Sequence, residues 1–109
     1  MIQATVYRNA AEGNYSFVVC NHGESYVCAA VSMLVINTIN SIEVLTGADF
    51  ASDSNEEEGR IQFSLRTSRA QPEGQQAGIL LDAMVLGLES VAQQHPDELT
   101  ITINIEERE

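Results

Sequence analysis

The sequence contains no lysine and no tryptophan, and five arginines are its only permanently cationic side chains. Sixteen acidic residues outnumber them and give a formal net charge of −11. Proteins bind nucleic acids largely through cationic side chains that release counterions from phosphates, so a direct role on DNA or RNA is disfavoured. An anionic membrane surface would repel the chain for the same reason. The charge suits either simple solubility or the attraction of a basic partner.

Long apolar runs and a secretory leader are also missing. No uninterrupted apolar run approaches the roughly 18–20 residues that cross a bilayer, and the first residues lack the basic start and apolar core of a signal peptide. We therefore expect a cytoplasmic protein, in which Cys20 and Cys28 are thiols or ligands rather than a disulfide. The chain has 109 residues with no linker or repeat, so we expect a single domain over residues 1–109.

Hydrophobic periodicity divides the chain into strands and helices. Period-two alternation, typical of half-buried strands, occurs in residues 2–6, 15–19, 61–65 and 99–105. Helical spacing indicates one helix with Ser25 as its N-cap and Gly47 as its stop, and a second helix that begins at Pro72 and ends before Pro96. The acidic segment 49–59 is expected to be a solvated loop.

The predicted elements follow one another in the order ββαβαβ. Each strand has one apolar face and both helices are amphipathic, so these faces are buried when the helices cover one side of the sheet. We therefore predict an α+β fold with a four-stranded, mostly antiparallel sheet and two helices packed on one face.

The residues that can carry chemistry are concentrated in positions 20–32, CNHGESYVCAAVS. His22 is expected where the chain leaves the second strand, and Cys28 in the first turn of the first helix. Aligned peptide dipoles at a helix start favour a thiolate, and a nearby imidazole can accept the thiol proton. Free amides of the same turn can receive an oxyanion, and Gly23 allows the chain to turn back toward the sheet. This arrangement suits nucleophilic catalysis.

Two other interpretations of the same residues stay open. An unpaired cysteine is often an inert, buried apolar group. Cys20, His22 and Cys28 are also possible zinc ligands, because strand alternation puts the first two on one face. However, no fourth ligand lies nearby, and His95, next to Pro96, is expected at the surface at a helix end. We therefore predict neither a metal nor a cofactor.

Residues 27–32, VCAAVS, with His22 shortly before them and a long helix after them, resemble the ribosomal-processing cysteine protease family (Prp). The resemblance continues in an opening strand that ends in Tyr7 and Arg8, and in residues 80–88, LLDAMVLGL, which are similar to the family's LLxxxxxGL pattern. It implies a homodimeric peptidase that removes a short N-terminal extension from a bacterial large-subunit ribosomal protein. Ribosomal proteins are strongly basic, so an acidic surface would speed the encounter.

Matching positions imply that Cys28 is the nucleophile, His22 the general base and Ser32 a supporting residue. The resemblance also implies a loop that orders around the substrate, formed here by Gly23, Glu24, Ser25 and Tyr26. This loop departs from the family, which generally has GHA at the histidine and a longer segment with an acidic residue before the cysteine. The alternative is a non-catalytic module of the same fold that binds a ribosomal protein or peptide without cutting it.

Overall fold

A computed structural model describes residues 1–9 and 14–106. Within these ranges the chain forms five strands and two helices. In chain order they are β1 (Ile2–Asn9), β2 (Asn14–Cys20), α1 (Ser25–Leu45), β3 (Phe50–Asn55), β4 (Arg60–Leu65), α2 (Pro72–Gln94) and β5 (Leu99–Glu106).

The five strands form one mixed sheet in the order β3-β4-β2-β1-β5. All neighbours are antiparallel except β1 and β5, which run parallel with Ile2 opposite Leu99. The α+β class and the two helices are confirmed, but the strand count is wrong because β3 lies inside the predicted loop 49–59. This strand pairs with β4 alone and exposes three consecutive residues from Ser52 to Ser54, so it shows no apolar alternation.

One face of the sheet and the facing sides of both helices form the core. Alternate residues of β1 and β2 are buried, and Phe63 of β4 stacks between Phe17 and Phe50 with ring centroids 5.2 and 5.1 Å apart. The α2 side chains Leu81 and Leu88 are fully buried. Burying a side chain of this size contributes about 1.5–3 kcal/mol, so these contacts fix the helices on the sheet.

Both ends of α1 differ from the sequence prediction by one residue. Glu24, rather than Ser25, is the N-cap, and its Oε2 accepts from the N–H of Tyr26 at 3.2 Å. A carboxylate reaches the first-turn amides as well as a hydroxyl does, so either neighbour could have capped this helix. Thr46, rather than Gly47, is the C-cap and has an extended backbone.

By length and composition alone, α1 could cross a membrane, which the sequence analysis did not expect. It has 21 residues and a mean hydropathy of 1.6. Its buried residues recur at helical spacing and are Val27, Val31, Val35, Thr38 and Ile42. They belong to the same core as the sheet and α2, so in this fold α1 packs as a core helix.

Tyr15 connects the sheet to α2 through a polar contact at the edge of the core. Its hydroxyl donates to Asp82 Oδ1 at 2.8 Å, and the Arg8 guanidinium lies 3.3 Å from the same oxygen. The guanidinium of Arg69 lies 5.3 Å from the centre of the Tyr15 ring. Burial, and then the hydrogen bond to Asp82, hold the pKa of Tyr15 well above its ordinary value.

Candidate active site

His22 and Cys28 line the same cleft, which has a volume of about 320 Å³. The cleft lies between the end of β2, one side of α1 and the β3–β4 hairpin. Ser32, one helical turn after Cys28, also lines it, and so does Arg60 at the start of β4. The structure thus brings together the three side chains to which the sequence analysis gave catalytic or supporting roles.

Cys28 is the fourth residue of α1 and is half-buried. The N–H of Gly23 donates to its sulfur at 3.2 Å, and the Sγ–H donates to the Gly23 carbonyl at 3.6 Å. Among the described residues, no hydrogen bond joins the thiol to His22. The thiol is therefore held by the backbone at the start of the intervening loop, and an N–H that donates to a sulfur can stabilise negative charge on it.

His22 is exposed and follows a residue with an unusual backbone conformation. Asn21 has a φ of 72°, in the left-handed region that asparagine tolerates better than most residues. The carbonyl of His22 accepts from the N-terminal amine of Met1 at 3.3 Å. The sharp turn at Asn21 ends β2 and directs His22 into the cleft.

The segment between His22 and Cys28 contacts the turn that precedes β5. The N–H of Glu24 donates to Glu98 Oε2 at 3.0 Å, and Tyr26 packs edge-on against His95 with ring centroids 5.6 Å apart. Ser25 and Tyr26 already belong to α1, so only Gly23 and Glu24 form the loop that was predicted over four residues. His95 is the C-cap of α2, in agreement with its expected place at a helix end.

One backbone N–H in the first turn of α1 already has a hydrogen-bond partner within the protein. Because the Glu24 carboxylate accepts from Tyr26, that amide is not available to an oxyanion, contrary to the sequence expectation that the first-turn amides are free. The Gly23 N–H, in contrast, donates to the Cys28 sulfur.

Cys20 lies at the end of β2, half-buried and opposite Gln3 of β1. It is not among the residues that line the cleft. Over residues 1–9 and 14–106, no three histidine, cysteine or acidic side chains are grouped so that they could hold a metal ion. The zinc interpretation of Cys20, His22 and Cys28 therefore finds no support in the geometry.

The β3–β4 turn supplies cleft residues that the sequence analysis did not identify. Glu56 and Gly59 both line the cleft, and Gly59 lies directly against the imidazole of His22. The available signal was a glycine after an acidic run and before an alternating strand, which is typical of a hairpin turn. Because β3 was not predicted, the sequence analysis assigned this turn to a loop instead of a hairpin.

The chain is similar to known proteins over most of its length. Residues 1–100 match the family described as cysteine protease Prp. The chain is 32% identical over 111 residues to the ribosomal processing cysteine protease Prp of Bacillus subtilis, covering 96% of this chain and 99% of the relative. The fold is similar to that of SMU.848 from Streptococcus mutans, with a TM-score of 0.78, 28% identity and coverage of 97% and 96% of the two chains.

The fold is also similar to an essential ribosomal processing protease Prp from S. aureus, solved with a covalently linked product peptide. That similarity has a TM-score of 0.79 at 19% identity and covers 95% of this chain and all of the other. The family match over residues 1–100 and the 32% identity over nearly the full length of both proteins agree. This chain therefore belongs to the Prp family of cysteine proteases.

Proposed function

We propose that this protein is a cysteine endopeptidase that removes a short N-terminal extension from a bacterial large-subunit ribosomal protein. The proposal rests on one observation above all: Cys28 and His22 line a single cleft in a chain of the Prp family. The B. subtilis relative is named as a ribosomal processing protease, and S. aureus Prp has been solved with a substrate peptide.

In the proposed reaction, the Cys28 sulfur attacks the scissile carbonyl carbon while His22 takes the thiol proton. The tetrahedral intermediate collapses as the C–N bond breaks, and His22 gives its proton to the leaving amine. Water, deprotonated by His22, then attacks the thioester carbon, the C–S bond breaks, and His22 returns the proton to the Cys28 sulfur as the carboxylic acid product is released. The N–H of Gly23, which donates to the sulfur at 3.2 Å, is proposed to stabilise negative charge on the thiolate.

This reaction requires the Cys28 thiol to exchange its hydrogen-bond partner. Its hydrogen bonds are now with Gly23, so the His22 imidazole has to turn toward Cys28 when the substrate enters. The imidazole is exposed and can rotate, and catalytic hydrogen bonds commonly tighten only when the substrate is bound. Ser32 lines the same cleft one helical turn after Cys28 and is the proposed supporting residue.

Charge favours a basic substrate. The chain carries a net charge of −11, and the cleft is lined by one acidic residue, Glu56, and one basic residue, Arg60, so the attraction comes from the protein as a whole. A field of this sign raises the rate at which a basic ribosomal protein meets the protease. The segment of Gly23 and Glu24, beside the nucleophile, is the proposed contact for the substrate backbone.

We also propose a homodimer in the cytoplasm. Several large apolar side chains on the helices are more than half exposed: Met33, Val44, Ile79 and Leu86. Burying such side chains against a second copy would be favourable. Light scattering would measure the mass of the particle in solution.

The test of the proposed function is cleavage of a peptide that spans the junction between extension and ribosomal protein, followed by mass spectrometry. Cys28→Ala and His22→Ala should each abolish cleavage, while Cys20→Ala is the matched control and should cleave at the wild-type rate. Full activity of Cys28→Ala would refute the assignment of the nucleophile.

One observation favours a second candidate, a module that binds such a peptide without cutting it. The loop before Cys28 is only two residues long outside the helix, and the thiol hydrogen-bonds to that loop rather than to His22. If the wild-type protein binds the peptide in a fluorescence anisotropy titration and leaves its mass unchanged, this second candidate is correct.

A further inference from the structure

The β3–β4 hairpin ends in a tight turn over residues 56–59. Asn55 and Arg60 are paired across the hairpin, and the N–H of Gly59 donates to the carbonyl of Glu56 at 3.2 Å. Gly59 has a φ of +60°, a left-handed conformation that glycine adopts without steric cost. The turn thus requires glycine, or a residue such as asparagine, at position 59 for its backbone alone.

A second reason for glycine comes from the neighbouring imidazole. A Cβ atom on residue 59 would lie 2.7 Å from Cε1 and 2.8 Å from Nε2 of His22, both closer than Cβ atoms approach other heavy atoms in proteins. It would also lie 3.0 Å from the backbone carbonyl oxygen of Asn21, so the turn cannot move aside in that direction. The exposed imidazole is the group that would have to move.

The turn and the histidine are attached to one framework. β4, which follows Gly59, pairs with β2, which precedes His22, and Val19 lies opposite Ile61. The distance between Gly59 and the backbone of His22 is therefore set by the pairing of β2 with β4. The contact restricts the positions of the imidazole within the cleft that also contains Cys28.

We propose that Gly59 is a positioning residue of the protease: its unsubstituted Cα is the surface on which the His22 imidazole rests and from which it reaches Cys28. The inference rests on the proposed function for the role of His22 as general base. It assigns no chemistry to Gly59 itself. It predicts that a single added carbon at position 59 displaces the imidazole and slows the chemical step more than it weakens substrate binding.

The experiment compares Gly59→Ala and Gly59→Asn with the wild type. Both variants add a Cβ, but asparagine tolerates the left-handed backbone better than alanine. Gly47→Ala is the control, because its Cβ would meet only Glu73 Cγ at 3.3 Å and its φ is not positive. Thermal unfolding followed by circular dichroism shows which variants are folded.

Two kinds of measurement then decide the outcome. NMR spectra report the Hε1 chemical shift of His22 and its nuclear Overhauser effect to the Hα of residue 59, with His95 as an internal reference. Peptide cleavage gives kcat and KM. We expect the His22 signal to shift and kcat to fall by about 10²-fold in both variants, with KM within about twofold, since small misplacements of a catalytic group have effects of this size.

The inference is overturned if both variants keep the wild-type His22 signal, or if only Gly59→Ala loses activity, because backbone strain would then be the cause. If Gly59→Ala does not fold, Gly59→Asn alone decides between these results. If the wild type cleaves no peptide while the His22 signal still moves in the variants, the proposed function fails and the positioning contact stands.

Discussion

Glu98 holds the backbone of the segment that joins the two candidate catalytic residues. Its Oε2 accepts from the N–H of Glu24 at 3.0 Å, and the same oxygen would lie 2.8 Å from a Cβ on Gly23. Gly23 in turn donates to the sulfur of Cys28 at 3.2 Å. We therefore predict that Glu98→Ala releases this segment and loosens the contact with the thiol.

The free energy lost in Glu98→Ala depends on how exposed the hydrogen bond between Glu98 and Glu24 is. A hydrogen bond to a charged group contributes about 1.5–3 kcal/mol. The bond between Glu98 and Glu24 is exposed, so water replaces the lost acceptor and we expect about 1 kcal/mol at most. A change of about 1 kcal/mol multiplies by about five the fraction of molecules in which this segment is released from Glu98. Glu98→Gln keeps an oxygen acceptor without the charge and should lose less.

Hydrogen–deuterium exchange measures this population directly, because a local opening exposes the amides that it releases. In Glu98→Ala, the amide of Glu24 should exchange about five times faster than in the wild type, following the population change above. The Gly23 amide should follow it, while the amide of Val6 in β1 should keep its wild-type rate. Peptide cleavage by the same variant shows whether docking matters for the reaction.

An unchanged exchange rate at Glu24 in Glu98→Ala would show that the contact does not hold the segment. Equal acceleration at Glu24 and Val6 would mean that the substitution lowers global stability instead, and it would refute the local argument equally. Glu98→Gln separates the lost acceptor from the lost charge, because only the charge is missing there.

Three further predictions test the fold. Tyr15→Phe removes the hydrogen bond to Asp82 and should lower the free energy of unfolding by about 1 kcal/mol at neutral pH. Because the pKa of Tyr15 is raised in the folded state, the wild-type protein loses stability as the pH rises above 10.0, the ordinary value of tyrosine. In urea titrations, the difference in free energy of unfolding between wild type and Tyr15→Phe should therefore narrow above this pH, and a constant difference would contradict the prediction. Leu81→Ala, at a fully buried site, should cost about 2–5 kcal/mol in urea unfolding, whereas Leu45→Ala, 70% exposed, should cost little, and equal losses would contradict the assigned core. Asn21→Ala should cost about 1 kcal/mol because of its left-handed backbone, and Asn21→Gly should not; a neutral alanine would refute the strain.

Elements with strong periodicity could be predicted from the sequence, and the weakly patterned one could not. Pro72 begins α2 as expected, because its missing N–H is harmless at a first helical position. β3 could not be found, because Ser52 and Asp53 are both exposed and the strand depends on pairing with β4 rather than on burial. An edge strand of this kind leaves no alternation to detect.

The candidate site could be predicted as far as it is local in sequence. His22, Cys28 and Ser32 lie within eleven consecutive positions, so a strand–loop–helix connection was enough to place them together. The contacts of Gly59 and Glu98 with this segment come from residues more than thirty positions away, and no spacing rule relates them to it. Only the pairing of the strands brings these residues to the segment between His22 and Cys28.

The parallel pairing of β1 with β5 determines when, during synthesis, the segment beside Cys28 can be held in place. A ribosome delivers the chain from its N-terminus, so β1 and α1 emerge long before β5. Glu98, immediately before β5, is among the last residues described here to appear, and it supplies the acceptor for the segment beside Cys28. A growing chain can therefore display its thiol but not the docked segment around it. The hydrogen bond that holds the segment beside Cys28 can form only after Glu98 has been synthesised.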